Sequence, residues 1–174
     1  ELVEMAKVAG RHGGIYASHM RYANARILEP IEEVCVIARE ANIRAEVSHL
    51  KLSDPNAWGR TGEVIARLER ARAGGLVITH DQYSYTVSAT GLNTLIPAEA
   101  REGGMKKFAE RVKDPAQKAL IVAAMKDMLK RSQRADYSYA VIASYETEPA
   151  LNGKTIPQAA KLKRGSEALD DQIN

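Results

Sequence analysis

An α/β fold is predicted for this 174-residue chain from three observations. Short apolar stretches suited to strands alternate with longer stretches whose apolar residues recur at helical spacing. The alternation repeats at a period of about 30 residues, the length of one strand–helix unit. A composition of 45% hydrophobic and 27% charged residues is enough to build a core and is neither disordered nor low in complexity.

The elements follow in order. Leu2, Met5, Ala6 and Ala9 form a short helical stripe that stops at Gly13-Gly14, since glycine tolerates the positive φ of a helix end. Ile15 to His19 is too short and too abruptly bounded for a helix and is predicted as a strand. Ile27, Ile31, Val34, Cys35, Ala38 and Ala41 make the clearest helix, with Pro30 near its start and Asn42 just past its end. The cycle then repeats, with a strand over Ile43 to His49 and a polar loop from Leu50 to Thr61. A helix marked by Val64, Ile65, Leu68 and Ala71 ends at Gly74-Gly75, and a strand follows over Leu76 to His80. Strands joined by single helices pair in parallel, because the crossover helix brings the chain back to the same edge. After Thr90 the rhythm breaks. Pro97 and Gly103-Gly104 mark a loop. A helix carrying Leu120, Ile121, Ala124, Met125, Met128 and Leu129 starts after Asp114-Pro115, and Tyr137 to Tyr145 alternates like a strand. Asn152-Gly153 is a turn, and short helices are expected over Ile156 to Lys161 and over Ser166 to Ile173 with Ser166 as N-cap. The expected organisation is therefore residues 1–96 as barrel βα units and 97–174 as a mostly helical insertion returning toward the barrel, within one incomplete domain.

Composition bounds the function. No apolar run approaches the roughly 20 residues of a membrane helix, and no secretory signal is visible. The single cysteine, Cys35, sits in an apolar stripe and is read as core; it can form neither an internal disulfide nor a cysteine-rich zinc cage, so a cytoplasmic location is expected. The 25 lysines and arginines against 22 acidic residues leave a net charge of +3 with no basic stripe, which gives nucleic-acid binding little support. The chain opens on Glu1 inside a predicted helix without an initiator methionine, as an excerpt of a longer protein would.

The chemistry lies in a repeat. Ser18-His19-Met20-Arg21 and Ser48-His49-Leu50-Lys51 close the first two strands with the same order of hydroxyl, imidazole, apolar and basic side chains, and Asp81 closes the third. In a parallel barrel the C-terminal strand ends converge on one mouth, where barrel enzymes keep their active sites. Two imidazoles there match a divalent metal, zinc being the usual guest, although a catalytic zinc normally takes three protein ligands and no third is apparent. Arg21 and Lys51, each two residues past a histidine, could pair with a substrate carboxylate or remain solvated loop cations. His12 is read as a surface residue and His80 as structural. The segment from Asp81 to Thr90 is rich in hydroxyls that could line a pocket. The Gly-x-Ser-x-Gly elbow, phosphate-cradling glycine loop and dinucleotide fingerprint are all missing.

Taken in order, Gly14-Ile15-Tyr16-Ala17-Ser18-His19-Met20-Arg21, Val47-Ser48-His49-Leu50-Lys51, Trp58-Gly59-Arg60, Asp81-Gln82-Tyr83-Ser84-Tyr85, Thr90-Gly91-Leu92 and Gly103-Gly104 resemble the N-acyl-D-amino-acid deacylases (D-aminoacylases) of the amidohydrolase superfamily. The resemblance covers about residues 1 to 104 and extends more loosely to Asn152-Gly153-Lys154-Thr155-Ile156. It implies a metal-dependent (β/α)8 TIM barrel, of which this chain would supply about strands 5 to 7 plus an insertion. It implies one or two zinc ions, with His19 and His49 as ligands, and it puts Lys51 and Tyr83 on the substrate's carboxylate, Arg21 being a weaker candidate. The family's remaining ligands would precede Glu1 and its catalytic Asp would follow Asn174, so no catalytic residue is expected within the chain. Ser84 stands where the family usually has Pro, Ala89 near its Ser, and Tyr22-Ala23-Asn24 lacks a common acidic residue.

The activity so implied is hydrolysis of N-acyl-D-amino acids, with a metal-bound water whose pKa falls toward about 7. Three alternatives stay open: an amidohydrolase of the hydantoinase or dipeptidase kind, a non-catalytic fragment, and a metal-free barrel binding an anion through Arg21 and Lys51.

Overall fold

The computed structural model describes residues 1–174 and divides into two compact units, Glu1–Thr86 and Val87–Asn174. In the first unit the order is α1 (Leu2–Arg11), β1 (Ile15–Ser18), α2 (Leu28–Ala41), β2 (Arg44–Val47), α3 (Thr61–Ala73) and β3 (Ile78–His80). The three strands form one parallel sheet in the order β1-β2-β3, as the alternation predicts. Helices cover one face. Ile31, Val34, Cys35 and Ala38 of α2 and Val64, Leu68 and Ala71 of α3 close over Ala45, Val47 and Ile78 of the sheet. Ile27, Ile31, Val47 and Cys35 lose all contact with solvent, and each such aliphatic chain contributes about 1.5–3 kcal/mol by its burial. Burial also pushes the Cys35 thiol up, away from the reactive thiolate.

Local chemistry explains where α2 stops. Asn42 adopts the left-handed conformation with φ 47° and its N–H returns to the carbonyls of Ala38 and Arg39, so an asparagine does the work usually given to glycine. The stripe of α1 is covered less than its spacing implies: Ala6 is buried, but Leu2 and Met5 are exposed.

The second unit is mostly helical, with α4 (Met105–Arg111), α5 (Pro115–Arg131), α6 (Ile156–Arg164) and α7 (Leu169–Ile173). Its core gathers Ile121, Met125 and Leu129 of α5 with Tyr137, Ile142, Leu151 and Ile156. Asp114 caps α5 by accepting from the N–H groups of Ala116 and Gln117, with Pro115 as the first helical residue, so the helix begins one residue earlier than the sequence reading places it.

Two expectations fail here. Tyr137 to Tyr145 is not a strand. The Asp136 carboxylate accepts from Ser138 N–H at 2.9 Å and the Tyr137 carbonyl from Ala140 N–H at 3.0 Å, so the chain turns before alternation can extend it. What remains is a single antiparallel bridge between Val141 and Thr155. Ser166 does not cap a helix, because its Oγ accepts from Ala168 N–H and the helix starts only at Leu169. No helix in either unit is long and apolar enough to cross a membrane.

Candidate metal and substrate site

All the site residues named from the sequence lie in the first unit, at the C-terminal ends of β1, β2 and β3 and in the loops that follow. The sheet register determines where each side chain starts out. Ser18 of β1 pairs with Val47 of β2, and Val47 with His80 of β3. Alternation turns Ala45 and Val47 toward the helices and Ala17, Glu46 and Thr79 to the opposite face, where the Thr79 hydroxyl donates to the Glu46 carboxylate. His19, two residues beyond Ala17, falls on that opposite face.

His49 should not. It is two residues beyond Val47, so a straight continuation of β2 would send its ring to the helix side. The partners Ser18 and Val47 are separated by one residue fewer than the 30 between the histidines, so the repeated tetrapeptides are out of register by one. The structure brings the two rings together by a local device. His49 has φ 41°, one of three positive-φ residues other than glycine, and this left-handed turn swings its imidazole back across the strand end. The Asp81 carboxylate accepts the His49 N–H at 2.6 Å, while the Asp81 carbonyl accepts from Leu50 N–H at 2.9 Å and its own N–H donates to the Val47 carbonyl at 3.2 Å.

The result is a close imidazole pair. His19 Nδ1 and His49 Nε2 lie 2.7 Å apart, with ring centroids 4.5 Å apart and planes inclined at 76°. On the far side of the His49 ring, Lys51 Nζ is 2.9 Å from Nδ1 and also donates to the His49 carbonyl at 3.2 Å. The tautomer of each ring sets which of its nitrogens donates in these contacts. Lys51 also stands 5.8 Å from the centre of the Tyr83 ring, over its face.

Arg21 is placed differently. Its guanidinium makes a two-pronged pair with Glu33 of α2, Nε to Oε2 at 2.8 Å and Nη2 to Oε1 at 3.0 Å, and this pairing holds the Glu33 carboxyl below the usual carboxylate range. Glu33 had no signal in the sequence beyond its place on the predicted helix. The part played by Asp81 was equally hidden, because its carboxylate serves a backbone N–H rather than a ligand in the mouth.

The loops after β1 and β2 are tied to each other. Ser53 N–H donates to the Ala23 carbonyl at 2.7 Å and Arg60 donates to the Ala25 carbonyl, while within the second loop Trp58 Nε1 donates to the Leu52 carbonyl at 3.0 Å. The chain from Asp81 through Thr94 is exposed throughout.

The donor set suits a zinc-type ion in part. Two imidazole nitrogens converge from adjacent strand ends, the separation in a tetrahedral zinc site being about 3.3 Å for Zn–N bonds near 2.05 Å, so a modest opening of the pair would admit the ion. No third histidine, cysteine or carboxylate joins them to complete a group of three. The first unit therefore holds a two-imidazole half-site with a cation beside it.

No family model matches the chain. Its fold does match solved structures. It resembles a D-aminoacylase whose crystal structure defines a novel subset of amidohydrolases, with TM-score 0.61 and 22% identity over 97% of this chain and 27% of that one. The class to which that protein is assigned is the amidohydrolases. More particularly, the chain is similar to the N-acyl-D-glutamate deacylase of Bordetella bronchiseptica, solved with zinc and a phosphonate mimic of the tetrahedral intermediate, with TM-score 0.64 and 23% identity over 98% of this chain and 28% of that one. In sequence it is 33% identical over 100 residues to the N-acyl-D-glutamate deacylase of Alcaligenes xylosoxydans xylosoxydans, covering 58% of this chain and 20% of the relative. The resemblance to N-acyl-D-amino-acid deacylases seen in the motifs is borne out. The chain spans about a fifth of the length of the curated relatives it matches.

Proposed function

We propose that this chain forms part of a zinc-dependent amidohydrolase that removes the acyl group from N-acyl-D-amino acids. The observation that carries this is the convergence of His19 and His49 at 2.7 Å beside Lys51, in a chain similar to deacylases of N-acyl-D-glutamate. β1, β2 and β3 would be three successive strands of a (β/α)8 barrel, about the fifth to the seventh, with residues 1–96 as barrel units and 97–174 as an insertion. The lone, buried cysteine is in keeping with a cytoplasmic enzyme.

His19 and His49 would hold one of one or two zinc ions, and a bound zinc supplies Lewis acidity and a water of low pKa. The rest is work for this chain's own side chains. To offer Nε2 to a cation as a neutral imidazole, His49 must carry its proton on Nδ1, which requires Lys51 to leave Nδ1. Lys51 then becomes free to donate to the carboxylate of the substrate's amino-acid part, with the Tyr83 hydroxyl as a second donor. Arg21 would act on substrate only by giving up Glu33. The proton transfer between water and leaving amine needs a carboxylate outside this chain.

The test uses the full-length protein with N-acetyl-D-glutamate as substrate. Wild type should hold zinc and release free D-glutamate, and His49→Ala should lose most of both; equal zinc content and equal rate in the two proteins would sink the proposal.

A further inference from the structure

We infer that Asp81 is a positioning residue, whose carboxylate accepts the His49 N–H and so holds His49 in the left-handed turn that brings its imidazole to His19. The observations are independent of one another. The register sends residue 49 to the helix side of the sheet, yet its ring meets a side chain on the other face. The backbone at His49 takes φ 41°, a conformation unfavourable for a residue with a Cβ, which persists only where something holds it. The group that holds it is the Asp81 Oδ1, at 2.6 Å in a charge-assisted hydrogen bond. Asp81 is fixed in turn by two main-chain hydrogen bonds, one to Val47 at the end of β2 and one from Leu50 just beyond it, which aim its carboxylate.

Asp81 thus acts through the backbone of its neighbour. An asparagine at 81 keeps an acceptor oxygen in the same place, whereas an alanine keeps none. Without the acceptor, His49 relaxes toward extended backbone and its ring leaves His19. The consequence for zinc rests on the function proposed above, but the consequence for the imidazole pair does not.

The experiment compares the wild-type chain with Asp81→Ala and Asp81→Asn by NMR and by competition for zinc with a chromophoric chelator. In wild type, a scalar coupling across the hydrogen bond should link the His49 amide nitrogen to the Asp81 carboxyl carbon; its absence overturns the inference whether or not the variants fold. In Asp81→Ala the ring-to-ring contacts of His19 and His49 should vanish and the amide coupling at His49 should move to its extended value, while the amide signals of the α2 and α3 core stay in place. Asp81→Asn should keep both signatures. Unchanged contacts in Asp81→Ala overturn the inference. Zinc affinity should fall about tenfold or more in Asp81→Ala, the usual cost of losing an outer partner of a metal site, and lie nearer wild type in Asp81→Asn. A wild-type chain that gives the NMR signatures yet takes up no zinc upholds the positioning and overturns the metal assignment instead.

Discussion

Single residues in this molecule change meaning with their partners. Arg21 and Lys51 occupy equivalent places after their histidines, yet Arg21 is committed to Glu33 and Lys51 to the imidazole pair. Lys51→Met should raise KM for N-acetyl-D-glutamate about 10- to 100-fold, the worth of a hydrogen bond from a charged group, with a smaller change in kcat. Arg21→Ala should leave KM near wild type and cost little stability, because the Arg21 end of its ion pair is exposed and the Glu33 end only half-buried; steady-state kinetics and urea denaturation check both. The second unit offers a titration of its own. Tyr137 is buried, its hydroxyl facing the Met125 carbonyl, and burial, aided by nearby Tyr139, pushes its phenol up to about 12. A folded state that holds this proton more tightly is stabilised below the unfolded value near 10 and loses that contribution as pH rises through about 12. Urea midpoints measured between pH 9 and 12, followed by tyrosine signals of the second unit, should fall with pH in wild type and fall less in Tyr137→Phe.

Secondary-structure elements were legible in the sequence to the degree that one local rule governed them. The helix α2 carried an uninterrupted stripe, an early proline and a left-handed asparagine stop, and all three act as expected. Asn42→Gly should therefore leave stability almost unchanged, whereas Asn42→Val, which cannot adopt φ 47° cheaply, should destabilise by about 1–2 kcal/mol in urea unfolding. The helix α6 likewise has a full capping box, Thr155 with Gln158, and Thr155→Ala should cost about 1 kcal/mol. Where rules compete, the sequence misleads. Tyr137 to Tyr145 alternates, but Asp136 imposes a turn at its start. The helix α4 went unnoticed because its seven residues bury none of their number and carry no stripe. At the site, the repeat of Ser-His pointed to the right two histidines, but the sign of φ at position 49 is not written in a histidine, and so neither the slipped register nor the need for Asp81 could be read.

At the scale of the whole chain, β1 and β3 each pair on one side only within these 174 residues, sides that the barrel proposed above would pair with further strands. Unsatisfied strand edges recruit other strands, so the chain should associate as concentration rises, and Ile15→Lys, a charge placed on an exposed residue of β1, should hold more of it monomeric; sedimentation velocity distinguishes the two. The loops around the site bear on traffic as well as on shape. Those after β1 and β2 are laced together at Ser53–Ala23 and Arg60–Ala25, and Trp58–Leu52 ties the second of them to itself. The stretch after β3 carries Tyr83 and lies open to water along its length. A molecule arriving at the histidines thus meets two loops tied to each other and one that lies open to water. Hydrogen exchange should register this as a Ser53 amide that outlasts those of residues 83–90.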